Sequence, residues 1–379
     1  MQTWKEENSI MKVIIAAGGT AGHINPGLAI AEKIKKEQPD ADIMFVGRKQ
    51  GMEYKLVTNA GYKFSHMEVT GFQRSFSPEN IKRNLITVKN LLTANKAADK
   101  ILNDFKPDLV MGTGGYVSGP IVQRAAKRGI KTALHEQNAF AGVTNKLLSK
   151  QVDKVFVATE KAAKYMAYPE KCIPCGNPVR TEIEAADMAQ SRRELGVEGK
   201  TVILSFGGSL GARNVNNAMK ALALHNKDNK DVVHYHVVGR YDGGDFEKFL
   251  SENGIEQSEN LKVFEYLYDI PKYMAAADII VSRCGALTIA EIACMGKASI
   301  LIPSPNVAEN HQYHNGKVLE DMGAAILIEE KDLTAETIVT AFEKLYGDKT
   351  LAQNMAKKAK EAHNPDCIDI IYSNLISMF

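Results

Sequence analysis

At 379 residues, with 45% hydrophobic side chains, the chain exceeds the usual single-core size of about 250–300 residues and has apolar residues enough for two cores. Its formal net charge of +2 gives no global pull toward nucleic acid, and no apolar run approaches the ~20 residues that span a bilayer. Five cysteines, an odd number with no export signal ahead of them, point to free thiols on the cytosolic side.

Met1 to Ile10 has no signal-peptide apolar core, and Met11 reads as a natural start because Lys12 opens the first strand. Lys12 to Ala17 is an apolar β run that ends in GGTAGHINP, Gly18 to Pro26, and helical spacing follows from Gly27 to Lys36. Asp40-Ala41-Asp42 forms a D-x-D, a pattern some sugar transferases use to hold a metal. It sits in a turn entering the next strand, Ile43 to Val46, at the wrong end of a sheet for that purpose, so a turn role is expected and no metal. Ile81 to Phe105 is a long helical stretch in which Ile81, Leu85, Val88 and Leu92 recur at helical spacing beside Lys82, Arg83, Lys89 and Lys96. Two readings stay open for it, a helix lying on an anionic membrane and a helix packed on its own sheet.

Leu109 to Met111 leads into MGTGGYVSGP, Met111 to Pro120, a second glycine turn that opens a helix at Pro120. Thr132 to His135 leads into HEQNAFAGVTNK, a polar loop, and Lys154 to Ala158 is a further strand. Cys172-x-x-Cys175 has no second pair and no thioredoxin-like surroundings, which leaves it structural or incidental. GNPVR, Gly176 to Arg180, interrupts both helix and strand and is the expected linker.

Thr201 to Phe206 then repeats the opening pattern and ends in GGSLGAR, Gly207 to Arg213, so that KVIIAAGGTAG and TVILSFGGSLG match in kind at almost every position. Further strands are expected at Val232 to Val238, Leu261 to Phe264, Asp278 to Ser282, Ser299 to Ile302 and Ala324 to Ile328. The repeat and the alternation of strand and helix predict an α/β protein of two Rossmann-like, doubly wound domains facing a cleft, with ligands at the carboxyl ends of the strands.

The stretch SRCGALTIAEIACMG carries the sharpest chemical signal. A buried strand breaks at Gly285, and a helix from Ala286 to Met295 is closed by Gly296, so the helix's first amides are offered to a phosphate. Glu291, about a turn and a half in, either accepts hydrogen bonds from ribose hydroxyls or merely offsets the helix dipole. A nicotinamide cofactor fits poorly: Gly18-Gly19-Thr20-Ala21-Gly22 lacks the G-x-G-x-x-G spacing, Val117 falls where a third glycine after Gly112 and Gly114 should be, and no acid closes the second strand. No G-x-x-x-x-G-K-[ST] exists either. With neither a cofactor motif nor a metal site expected, charge on a leaving diphosphate falls to helix N-termini, Arg180 and Arg213.

Taken in order, GGTAGHINP, GTGGYVSGP, HEQN, GNPVR, GGSLGA, SRCGALTIAE and His311-Gln312 resemble the MurG family over roughly Met11 to Phe379. The resemblance implies the GT-B fold, with an acceptor- and membrane-facing domain over 11–177, completed by a C-terminal helix over 362–379, and a UDP-GlcNAc-binding domain over 178–361. It implies inverting transfer of GlcNAc from UDP-GlcNAc to undecaprenyl-pyrophosphoryl-MurNAc-pentapeptide at the cytoplasmic face of the membrane. The implied partners are that lipid acceptor, an anionic membrane surface and other cell-wall synthesis enzymes, but no nucleic acid.

Carried over by motif, the donor is expected on Thr20, Ala21, Gly22, Asn138, Arg180, Ser209, Leu267, Ala286, Leu287, Thr288, Ile289, Ala290, Glu291 and Gln312. The acceptor diphosphate is expected on Gly18, Gly19, Gly114, Gly115, Tyr116 and Ser118. Ala21 stands where the family usually has Gly, and Cys284 where Ser is common. His23 is the candidate general base, because imidazole titrates near neutrality, with hydrogen bonding to phosphate or backbone as its other reading and Glu136 in reserve. Two other functions remain at this point, a UDP-GlcNAc epimerase and a non-catalytic nucleotide-sugar-binding partner of a membrane protein.

Overall fold

The computed structural model describes residues 10–69, 93–208 and 210–379. The basic amphipathic stretch therefore lies outside the described residues up to Leu92, and so does Ser209. The chain divides into two compact units, one of residues 1–178 with 365–379 and one of residues 179–364.

In the first unit seven parallel strands stand in the order β3-β2-β1-β4-β5-β6-β7, where β1 is Lys12–Ala17, β2 Asp42–Gly47, β3 Lys63–His66, β4 Leu109–Gly114, β5 Lys131–Glu136, β6 Lys154–Val157 and β7 Cys172–Pro174. In the second, six parallel strands stand in the order β10-β9-β8-β11-β12-β13, with β8 Thr201–Phe206, β9 Val232–Val237, β10 Leu261–Phe264, β11 Ile279–Ser282, β12 Ala298–Leu301 and β13 Ile326–Leu327. Each order reverses direction beside its first strand, between β1 and β4 and between β8 and β11, which is where doubly wound sheets open a crevice. The central strands are apolar along most of their length because helices cover both faces, as in KVIIAA and TVILSF. Each fully buried Ile, Val or Leu there contributes about 1.5–3 kcal/mol relative to exposure.

The two halves repeat a polar device as well as a strand order. Asp108, just before β4, accepts a hydrogen bond from the first amide of β1, Lys12 N, at 2.7 Å. Asp278, just before β11, accepts one from Val202 N at the start of β8, at 2.8 Å, and is held by Arg192 at 3.0 Å. Behind the second sheet, buried Lys297 donates to the carbonyls of Ala275 and Ala277 at 2.6 and 2.8 Å, closing the end of the helix Ile270–Ala276.

Several element boundaries differ from the sequence expectation. The first helix is Ala21–Glu37 and runs through Pro26, six residues earlier than its apolar spacing suggests. Pro26 is the sixth residue of this helix, where its fixed φ is helical but the hydrogen bond to the Gly22 carbonyl is lost. His23 consequently sits in the first turn of a helix and not in a loop. The C-terminal helix is likewise shorter than 362–379: Lys349–Glu361 ends, Pro365 prevents continuation, and a new helix spans Cys367–Ile376. That helix buries Cys367, Ile371 and Leu375 in the first unit's core, with Lys33 bonded to Asp369 at 2.6 Å. The strand expected over Ala324 to Ile328 is only Ile326–Leu327.

All five cysteines are free. Cys175 lies against Cys367 and His135, and the hydrogen bond with Cys367 is the main cause that holds its thiol below the ordinary range. The described residues hold no helix long and apolar enough to cross a membrane.

Candidate active site

In the second unit β8 and β11 are parallel neighbours, so the turns that follow them open at the same end of the sheet. Phe206 leads by Gly207, Gly208 and Gly211 to the helix Arg213–His225, and Ser282 turns through Gly285 into the helix Ala286–Met295. The helix His311–Asp321 begins beside them. Their N-cap residues are Ala212, Gly285 and Asn310; none makes a side-chain cap, and no helix has an acid in its first turn. Elsewhere in the same unit Asp187, Thr334 and Asp348 cap their helices with their own oxygens. The three helices without capping side chains line one pocket of about 540 Å³, so their positive ends converge on a space of ligand size.

Charged and polar groups complete this pocket. Arg213 has no acidic partner among the described residues, whereas Arg283 is paired with Glu330, which also accepts from Asn214 at 2.8 Å. Arg283, Asn214 and Glu330 were not among the residues expected from the sequence, although Arg283 lies inside SRCG. Gln312 accepts from Ser304 N through Oε1 at 2.9 Å. Thr288 and Gln312 line the pocket, and Leu267 follows β10 half-buried against the core. Arg180 reaches from the N-terminus of the helix Thr181–Glu184 to Glu291, with Nε and Nη2 donating to Oε1 at 3.1 and 3.0 Å. Two residues expected to serve separate parts of the donor are thus joined. Burial pushes the Glu291 carboxyl above the ordinary range, against the downward pull of Arg180.

Among the described residues one His, Cys and carboxylate group has ligand atoms within 4.8 Å of one another: Glu184, Cys294 and His363. Cys294 lies at the far end of the helix Ala286–Met295, about 12 Å along its axis from the pocket end. Asp42, of the D-x-D, opens β2 at the sheet's amino end and pairs with Lys63.

In the first unit the turns after β1, β4 and β5 interlock. A Cβ on Gly115, at φ +81°, would lie 2.3 Å from Gly18 O, and one on Gly114, at φ +117°, would lie 2.4 Å from His23 Nδ1. Only glycines let these turns approach so closely. Thr20 caps the helix of His23 in extended geometry without using its side chain, and Ala21 and Gly22 form the first turn. Tyr116 is exposed.

Two expected acceptor contacts are occupied internally. Ser118 is fully buried, shares its hydroxyl proton between Ala16 O and Gly114 O at 2.9 Å, and accepts from Gly114 N, so it ties β1 to the β4 turn. Gly19 N points to the buried carboxylate of Glu53 at 3.4 Å, which also takes Arg48 N at 2.9 Å. Glu136, the reserve base, is 2% exposed and accepts from Asn138 N, Asn138 Nδ2, Gly142 N and Asn145 Nδ2 at 2.9–3.0 Å. A carboxylate so engaged orders its loop and has no lone pair to spare for a substrate proton.

Two doubly wound sheets, one bearing a pocket of about 540 Å³ at converging helix N-termini, are the GT-B architecture. Residues 13–157 match the glycosyltransferase family 28 N-terminal domain and residues 202–371 the glycosyltransferase family 28 C-terminal domain. The chain is 41% identical over 365 residues, 96% of both chains, to the UDP-N-acetylglucosamine--N-acetylmuramyl-(pentapeptide) pyrophosphoryl-undecaprenol N-acetylglucosamine transferase of Acetivibrio thermocellus, and it belongs to that family. The crystal structure of Acinetobacter baumannii MurG, 27% identical, superposes with a TM-score of 0.76 and covers 97% of this chain and 100% of that one. UDP-GlcNAc 2-epimerase from Neisseria meningitidis shares the fold alone, at 15% identity and a TM-score of 0.69 over 97% and 100% of the chains.

Proposed function

We infer that the protein moves GlcNAc from UDP-GlcNAc to the 4-hydroxyl of MurNAc in undecaprenyl-pyrophosphoryl-MurNAc-pentapeptide, with inversion at the anomeric carbon. The observation that carries this is the pocket of the second unit, whose helix N-termini and Arg213 suit a diphosphate. The diphosphate binds at Gly285 to Thr288 and at the β8 turn, Glu291 accepts hydrogen bonds from the ribose hydroxyls, and Gln312 donates its amide to the sugar. Leu267 packs at the base. Thr20, Ala21, Gly22 and Asn138 contribute from the first unit.

His23 is the base. As the MurNAc oxygen forms its bond to the anomeric carbon, the hydroxyl proton passes to His23 and the bond to the β-phosphate breaks, its electron pair leaving with UDP. Arg213 and the helix amides stabilise that charge in the place of a metal. Exposed Tyr116, beside half-buried Gly115, offers the acceptor a rim.

Contact with the anionic membrane surface belongs to the first unit. There Val143 and Leu147, one helical turn apart, are 51% and 60% exposed beside Lys146 and Lys150, a mixture of apolar and cationic groups suited to a lipid interface. The deciding assay follows radiolabelled GlcNAc from UDP-GlcNAc to a lipid I analogue with purified protein. Transfer with UDP release strictly dependent on acceptor is expected; turnover of UDP-GlcNAc without acceptor would replace this reading with epimerisation.

A further inference from the structure

The described hydrogen bonds around His23 fix which of its nitrogens carries the proton. Gln137, directly after β5 and 3% exposed, lies with its side-chain nitrogen against two carbonyls, Thr113 O at 2.7 Å and His135 O at 3.0 Å. Carbonyls only accept, so that atom is the amide nitrogen and the other is Oε1. Oε1 faces His23 Nδ1 at 3.2 Å. An amide oxygen also only accepts, so Nδ1 carries the hydrogen and Nε2 carries the lone pair.

The same reasoning extends one residue further. His135, fully buried, places Nε2 3.0 Å from Gly176 O and must donate there, which leaves its Nδ1 as an acceptor 3.0 Å from the Gln137 amide nitrogen, where one of the two amide hydrogens is shared between Nδ1 and His135 O. The hydrogens run in one sense, His135 to Gly176, Gln137 to His135 and His23 to Gln137. Thr113 adds a second hold through its hydroxyl on His23 O at 2.7 Å, and Gly114 leaves room for the ring.

We propose that Gln137 is a positioning residue that locks His23 in the Nδ1–H tautomer, so that Nε2 is the atom that takes the acceptor's proton. The second half rests on the reading of His23 as base; the tautomer itself does not. Neutral imidazole in water favours the opposite tautomer, so without Gln137 most molecules would present an N–H where a lone pair is needed. A side chain that sets the tautomer of a catalytic histidine acts on the chemical step and not on donor binding.

The experiment uses the full chain with ¹⁵N-labelled histidine, its His23 signals assigned by loss in His23→Gln, and the isosteric variant Gln137→Met. Long-range ¹H–¹⁵N correlation above the histidine titration range is expected to show wild-type His23 with a protonated Nδ1 and a bare Nε2, and Gln137→Met with the reverse tautomer dominant. Transfer to a water-soluble acceptor analogue should lose about tenfold or more in kcat, out of the roughly 10²–10⁴ a general base supplies, with KM for UDP-GlcNAc within twofold. Wild-type His23 in the Nε2–H form overturns the proposal, and so does a folded Gln137→Met that keeps wild-type kcat. If Gln137→Met does not fold, the wild-type spectrum decides alone. Full activity in His23→Gln would instead remove the base assignment and leave the tautomer measurement standing.

Discussion

The two units share one strand order, one glycine turn after the first strand and one aspartate that closes the start of that strand, yet they treat the turn in opposite ways. In the second unit it stays open: helix ends without capping side chains meet at a pocket of about 540 Å³, and Arg213 lacks an acidic partner among the described residues. In the first unit it is filled by the protein itself, with Glu53 on Gly19 N, Ser118 across Gly114 and Ala16, and Gln137 under His23. One topology therefore yields a cradle that waits for a ligand's charge and a braced frame that fixes an imidazole. Backbone amides at a helix start are a general resource, and local side chains determine whether ligand or protein uses them.

If this division of labour holds, variants in the two units fail differently. His23→Gln should lower kcat by about 10²–10⁴ while UDP affinity by calorimetry stays within twofold of wild type. A comparable loss of UDP binding would mean that His23 holds the donor and is not confined to the chemical step. In the second unit Glu291→Ala should weaken UDP binding by about 1.5–3 kcal/mol, the range for a charged hydrogen bond. Glu291→Gln tests the origin of that effect: burial already disfavours the ionised carboxyl, so its thermal midpoint should not fall while UDP affinity does. A marked drop in midpoint would reassign Glu291 to structure.

A smaller expected effect concerns acid. Ser205 bridges His234 Nε2 at 2.7 Å and His236 Nδ1 at 2.8 Å inside the second sheet, where burial lowers His234 to about 4 and His236 well below its usual value. Both are neutral when folded and bind protons on unfolding. Stability is therefore fully present above about pH 6.5 and falls as pH drops toward 4, by about 1.4 kcal/mol per pH unit for each histidine. Calorimetry across this window should show the slope, and His236→Phe should roughly halve it; an unchanged slope would place the acid sensitivity elsewhere. Least of all should EDTA matter, since helix amides and the Arg213 cation line the pocket proposed for the diphosphate. Activity lost to chelation and restored by a divalent ion would show that the cradle is incomplete without metal.

The sequence by itself determined the two parallel sheets, the repeated glycine turns, the helix Ala286–Met295 with Gly296 behind it, and the family. These follow from apolar periodicity, from residues whose backbone freedom is special and from motifs in order, all of which are local along the chain. What the tertiary structure alone decided is partnership. His23 meets Gln137 from 114 residues away, Gly19 meets Glu53 from 34, and Arg180 meets Glu291 from 111, distances that only the strand order closes. A polar side chain in a loop reads the same in sequence whether its lone pairs face a substrate or a neighbouring amide. Folding separated them, committing Glu136 to four donors and Ser118 to the interior while leaving His23 Nε2 with its lone pair, because buried polar groups must be paired and the fold decides which neighbours lie within reach.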